Sequence, residues 1–164
     1  MQTSRYFFAL WPNPVVARQL AALQAPLAGG RLTHPADFHL TLAFLGQPQP
    51  GQHAALRRIA QTLPRPAFEL RLDRVDTFER LKLAWVGPSA VPAALLALRD
   101  QLGHALDQEG IWYDKQFSFR PHVTLARKVT VAPRPLGAPV IWWADRFVLA
   151  HSHPQPNGAK YSLA

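Results

Sequence analysis

Apolar and polar positions along this chain follow two rhythms, one of period two and one near 3.6, with prolines where the rhythm changes. Arg5 to Trp11 (RYFFALW) predicts a strand of aromatic and aliphatic residues. Pro12-Asn13-Pro14 closes it and opens a helix, with Asn13 as N-cap and Pro14 at the first helical position. Val16, Leu20, Leu23 and Leu27 give that helix one apolar stripe, and Gly29-Gly30 ends it. His39 to Leu45 (HLTLAFL) predicts a second strand, closed by Gly46 and Pro48. A helix from Gln52 to Leu63 follows, with Leu56, Ile59 and Leu63 inward. Alternation at Phe68, Leu70, Leu72 and Val75 predicts a half-buried strand, and Leu81 to Val86 another, ended by Gly87-Pro88. Ser89 is placed to cap a third helix with the stripe Leu95, Leu98, Leu102 and Leu106, and Gly110 stands past its end. Strands at His122 to Val129, at Val140 to His151 and around Tyr161 complete the reading.

The order strand, proline, helix, loop, then a strand opening with His-x-Thr-Leu occurs twice. RYFFALWP leads to HLTLAFLG, and LKLAWVGP leads to HVTLARKV. From Pro12 to His39 is 39 − 12 = 27 residues, and from Pro88 to His122 is 122 − 88 = 34, a match to within one loop insertion. No linker or charge block divides the chain, so residues 1–164 are expected to form a single two-lobed domain of two similar halves.

Composition narrows the chemistry. At 164 residues with 48% hydrophobic and 17% charged positions, the chain can bury a core and is not disordered. The charge sum, 18 − 10 = +8, favours a polyanionic partner, nucleic acid first among them. There are 0 cysteines, which excludes disulfides, thiolate metal sites and a cysteine nucleophile, and fits a reducing compartment. The apolar run from Phe7 to Trp11 is too short for a secretory signal, and no stretch approaches the roughly 18 apolar residues of a membrane span. A soluble cytoplasmic protein is expected.

Residues i and i+2 of a strand share a face, so His39 projects with Thr41 and His122 with Thr124, while Leu40, Leu42, Val123 and Leu125 anchor the strands on the other side. Two imidazoles across a cleft can do paired acid–base chemistry near neutral pH, and hydroxyls beside them can hydrogen-bond phosphate oxygens. Arg127 stands at i+5 from His122, so spacing alone leaves its side open; a bend in the strand would bring its guanidinium to a phosphate. One HxT triplet carries little weight, but two copies in HhTLA (h apolar), each after a similar strand–helix unit, carry much more. His151-x-His153 also has i, i+2 spacing, yet no carboxylate or cysteine pattern joins it and no metal site is assigned. Of the Trp142-Trp143 pair, alternation puts one ring in the core and one outside.

On these motifs the chain resembles the bacterial and archaeal RNA 2′,3′-cyclic phosphodiesterases, formerly called 2′-5′ RNA ligases, of the two-histidine phosphoesterase superfamily. The resemblance runs over nearly the whole length, from RYFFALWP through HLTLAFLG and FRPHVTLAR to a short C-terminal strand. It implies an α+β, two-lobed, pseudo-symmetric fold, with antiparallel sheets lining a central cleft and helices outside. It also implies that His39 is the general acid protonating the departing 3′-oxygen and His122 the general base activating water. Thr41, Thr124 and Arg127 would hold the phosphate, and Phe44 would offer an aromatic surface near the nucleobase. The site is nearly symmetric and ligation would run the roles backwards, so the acid and base can exchange. The chain stops at Tyr161-Ser162-Leu163-Ala164, where relatives usually continue.

The expected activity is metal-independent, cofactor-free hydrolysis of RNA 2′,3′-cyclic phosphate ends to 2′-phosphomonoesters. The expected partner is such an RNA end or a nucleotide, with no membrane, and the protein is expected to be a monomer. Alternatives are a 2′-5′ RNA ligase or phosphodiesterase, a small-nucleotide cyclic phosphodiesterase, and a module that binds nucleotide or RNA ends without turnover.

Overall fold

The computed structural model describes residues 5–115, 118–155 and 158–163. β1 (Arg5–Leu10) leads into α1 (Pro14–Ala22), where the Asn13 side chain accepts a 2.9 Å bond from the Val16 N–H and caps the helix as expected. α1 is shorter than the apolar stripe implied. Pro26 has no N–H to continue the ladder, and Leu27 reaches the core from a separate 3-10 turn over Ala25–Leu27. A two-residue strand that no periodicity announces, β2 (Arg31–Leu32), comes before β3 (Leu40–Gly46). Then follow α2 (His53–Thr62), β4 (Phe68–Phe78), β5 (Leu83–Gly87) and α3 (Ala93–Gln108). The chain ends with β6 (Val123–Arg127), β7 (Arg134–Ala144), β8 (Phe147–Gln155) and β9 (Gly158–Leu163).

The strands pair antiparallel in the order β7-β4-β5-β6-β3-β1-β8-β9, with β2 added alongside β6. Apart from β2, each half holds four strands, and in each half the motif strand is innermost. The halves meet where β3 and β6 pair, at the single register position Leu40↔Val123. The helices cross over: α1 packs against β7 of the second half, α3 against β3 of the first, and α2 against β8 and α3. One continuous core results, with Phe8, Leu10 and Leu40 of the first half in the same cluster as Val86, Val123 and Trp142 of the second. Fully burying side chains of this size stabilises by about 1.5–3 kcal/mol each, so most of the fold's stability lies on this helix-covered face. The opposite face carries the cleft and a smaller apolar cluster of Phe7, Ala9 and Ala150 beside it.

Three expectations are corrected. The run Val140 to His151 is not one strand. β7 ends at Ala144, pairing with β4, and β8 starts at Phe147, pairing with β1, so Asp145-Arg146 carries the chain from one half to the other. Ser89 does not cap α3, whose N-cap is Pro92; its N–H and hydroxyl instead donate to the Asp73 carboxylate at 2.7 and 2.6 Å. Leu81 is 67% exposed in a 3-10 turn, because Lys82 takes a left-handed conformation (φ 48°) that delays β5 to Leu83. Trp142 is buried and Trp143 exposed, as alternation required. No helix of the described residues is long and apolar enough to cross a membrane.

Candidate active site

Each motif histidine stands one residue before its strand, at the point where β3 and β6 touch. The alternation holds in both: Leu40, Leu42, Val123 and Leu125 are in the core, while His39, Thr41, His122 and Thr124 line one cleft of about 500 Å³. Phe44 and Arg127 line it too. Simple alternation would turn position i+5 away from i, and a register shift in each half prevents this. Along β1 and β3 the partners run Phe8↔Ala43 and then Ala9↔Thr41; along β5 and β6 they run Ala84↔Ala126 and then Trp85↔Thr124. Leu42 and Leu125 are the extra residues, so a β-bulge falls at the same place in both motifs and both HhTL leucines are buried. The bulge resets the parity of the strand. It brings Phe44 in one half and Arg127 in the other onto the histidine face at equivalent positions.

Both imidazoles are held alike. The His39 Nδ1 lies 2.7 Å from the carbonyl oxygen of Asp37, and the His122 Nδ1 lies 2.7 Å from that of Arg120. A carbonyl only accepts, so in each ring Nδ1–H donates and Nε2 is left to exchange a proton with whatever occupies the cleft. His39 sits among aromatic rings, stacked on Trp11 at 5.2 Å and near Phe7 and Tyr161 at 4.8 and 4.9 Å. His122 has Phe78 edge-on at 4.8 Å. Burial therefore dominates the electrostatics. It pushes His39 down to about 4 against the bond its Nδ1–H donates to the Asp37 carbonyl, with the charges of His122 and Arg127 adding to the fall. His122 is also lowered, by burial first and by Arg127, against the Arg120 carbonyl. Burial thus favours the neutral form of both rings in the free protein, and a bound anion would favour the protonated one.

Among charged groups at the cleft, the sequence reading singled out Arg127 but not Arg5 or Arg31, and it did not place Trp11 or Tyr161 against His39. Lys115, upstream of the second motif, pairs with Asp107 at 3.1 Å. The His151 and His153 rings are 4.0 Å apart, next to Tyr6 on the first half's outer strands. Among the described residues no group of three or more His, Cys, Asp or Glu is arranged to hold a metal ion.

Two imidazoles with free Nε2 atoms, two hydroxyls and a guanidinium around one cleft can bind an anion and pass protons on opposite sides of it. The comparisons with known proteins agree with that frame. The chain is 30% identical to the RNA 2′,3′-cyclic phosphodiesterase of Escherichia coli (strain K12), over 80% of this chain and 76% of that one. It is 31% identical to the RNA 2′,3′-cyclic phosphodiesterase of Thermus thermophilus, over 97% and 87%. The crystal structure of E. coli LigT complexed with 3′-AMP superposes with a TM-score of 0.84 at 27% identity, covering 99% of this chain and 96% of that one. The family model described as the 2′-5′ RNA ligase superfamily matches residues 11–153, and the chain belongs to that superfamily.

Proposed function

We propose that this protein opens the 2′,3′-cyclic phosphate at an RNA end to a 2′-phosphomonoester, by paired-histidine catalysis without a metal. Water attacks phosphorus on the side away from the 3′-oxygen. One water proton goes to the Nε2 of His122 as the P–O bond forms; the P–O3′ bond breaks and the 3′-oxygen takes a proton from the Nε2 of His39. The products are a phosphomonoester and a 3′-hydroxyl, and the two histidines exchange protons with solvent to reset. Thr41 and Thr124 hydrogen-bond the non-bridging oxygens, Arg127 neutralises their charge, and Phe44 carries the base.

The observation that supports this reading most is the matched orientation of the two rings, each with Nδ1 tied to a carbonyl and Nε2 free in the same cleft. Several relatives of this chain are RNA 2′,3′-cyclic phosphodiesterases by name, and E. coli LigT has been crystallised with 3′-AMP and with phosphate. Metal independence is supported by the chemistry of the site, whose groups supply proton transfer and charge neutralisation unaided. The test is phosphorus NMR on an oligonucleotide with a 2′,3′-cyclic phosphate, incubated with the protein in EDTA. A 2′-phosphate is expected; no turnover, loss of turnover with the chelator, or a 3′-phosphate would overturn the proposal.

A further inference from the structure

β2 is two residues long, yet three separate features hold it against β6. Gln24, a buried polar residue, donates from its Nε2 to the Leu125 carbonyl at 2.9 Å and to the Thr33 carbonyl at 2.8 Å, which staples the two segments together. The Thr33 N–H donates to the same Leu125 carbonyl at 2.9 Å. Gly30 approaches so closely that a Cβ there would lie 2.6 Å from both the Arg127 carbonyl oxygen and the Val129 Cβ. The product of this clamp is the register Arg31↔Arg127, two arginines directly opposite each other across an antiparallel pair.

Like charges directly opposite in a sheet are destabilising. Here both side chains are exposed and both line the cleft, and among the described residues neither makes an ion pair or a side-chain hydrogen bond. Nothing in the core requires an arginine at position 31, because the residue is exposed. A polar side chain would satisfy the same backbone pairing without the repulsion. What the pair does suit is an anion. With about 3.3 Å of rise per residue, and one of the three steps absorbed by the bulge, the pair lies roughly 7 Å along β6 from Thr124. Arg127 meets the phosphate held between the histidines from the strand that follows His122, whereas Arg31 stands one strand spacing, about 5 Å, to its side and is suited to the next phosphate along a strand.

We propose that Arg31, set in register with Arg127 by the Gln24 and Gly30 clamp, binds the phosphodiester one nucleotide in from the reacting phosphate. The substrate class is then an RNA of at least two nucleotides, with a mononucleotide cyclic phosphate using only part of the site. This rests on the proposed activity for the identity of the reacting phosphate, while the second anion site stands on the arginine pair itself.

The experiment compares wild type with Arg31→Ala on a mononucleotide 2′,3′-cyclic phosphate and on a trinucleotide with the same end. The ratio of kcat/KM for trinucleotide over mononucleotide is expected to fall about ten-fold or more, the scale of a lost charge-assisted contact. Equal losses on both substrates, or an unchanged ratio, would overturn the proposal. Binding of a trinucleotide ending in a 2′-phosphate, followed by fluorescence anisotropy against salt, gives a readout that needs no turnover. The log–log salt slope is expected to fall by about 0.7 in the variant, as for one single-strand phosphate contact. If wild type turns over neither substrate, the proposed activity fails alone; equal salt slopes for wild type and variant would sink the Arg31 site whatever the turnover.

Discussion

His39 and His122 are oriented by the same bond, an Nδ1 set 2.7 Å from the carbonyl oxygen of the residue two positions earlier, so the two rings offer the same nitrogen to one cleft. The equivalence extends outward from the rings. Thr41 and Thr124 follow at the same offset, a bulge follows each threonine, and the bulges deliver Phe44 to one side and Arg127 to the other. Where the halves differ is at that last position, an aromatic ring against a guanidinium. The two histidine–threonine pairs are thus symmetric and the residues beyond them are not, and in the proposed function that difference would give a nearly symmetric centre a direction for its substrate.

The first prediction concerns the pair. His39→Ala and His122→Ala are each expected to lower kcat by about 10²- to 10⁴-fold, the range for removal of a general acid or base. In the proposed mechanism the two serve one displacement at phosphorus, so the double variant should be little worse than either single variant. His151→Ala, outside the cleft, should stay within about two-fold of wild type. Circular dichroism and steady-state rates check this; a double variant that loses the product of the single losses would mean that the histidines act independently.

The second prediction is a split between two pH profiles. In the free protein burial pushes His39 down to about 4 and lowers His122 as well, so the form with one ring protonated is populated on the acid side of neutrality. A bound phosphate anion favours the imidazolium and lifts both values. The bell for kcat/KM, which reports the free enzyme, should therefore lie at lower pH than the bell for kcat, which reports the complex. Initial rates between about pH 4 and 9 separate the two, a range set by the ordinary histidine value near 6.5. Coincident bells would show that substrate charge does not control the proton on the acid.

The doubled motif could be read from the chain because strand alternation is a local rule, and it put His39, Thr41, His122 and Thr124 on one face correctly. The bulge that turns Arg127 and Phe44 inward could not be read, since it is set by pairing with β1 and β5 rather than by anything within HLTLAFLG or HVTLARKV. Arg31 escaped for a related reason: a two-residue strand has no period, and its partner lies 127 − 31 = 96 residues away. The run VIWWADRFVLAH misled because both β7 and β8 are largely apolar, and only Asp145-Arg146 marks the change of partner. Side-chain direction is local information, whereas the residue opposite is not.

A third prediction tests how tightly the second motif is held. Gly87 ends β5 beside the second histidine, and a Cβ there would lie 2.7 Å from the Pro121 carbonyl oxygen and 2.8 Å from the Trp85 ring. Both neighbours bear on His122, Pro121 through the chain and Trp85 through a ring contact at 6.1 Å. Gly87→Ala should destabilise by about 1–3 kcal/mol, as overpacking does. It should also lower kcat more than it raises KM, because it shifts the histidine proposed to transfer the proton rather than the binding rim. Urea unfolding with kinetics on the folded protein separates the effects; a stability loss with kcat intact would mean that the strain relaxes away from His122.

The same burial that tunes the site should make the fold acid-sensitive. Burial holds the folded His39 down at about 4 against an ordinary 6.5, so the unfolded chain binds the proton first as pH falls. Its contribution to stability is then complete above about pH 6.5, is lost progressively as the pH falls towards 4, and changes no further below that. The full loss from this residue is at most about 3 kcal/mol. His39→Gln, which cannot titrate, should flatten that part of the curve, and inorganic phosphate should oppose the acid loss in wild type by favouring the charged ring in the folded state. Urea unfolding at several pH values, for both proteins and with and without phosphate, tests this. Identical pH dependence in wild type and His39→Gln would mean that His39 is solvated in the free cleft and that its proton is not controlled by burial.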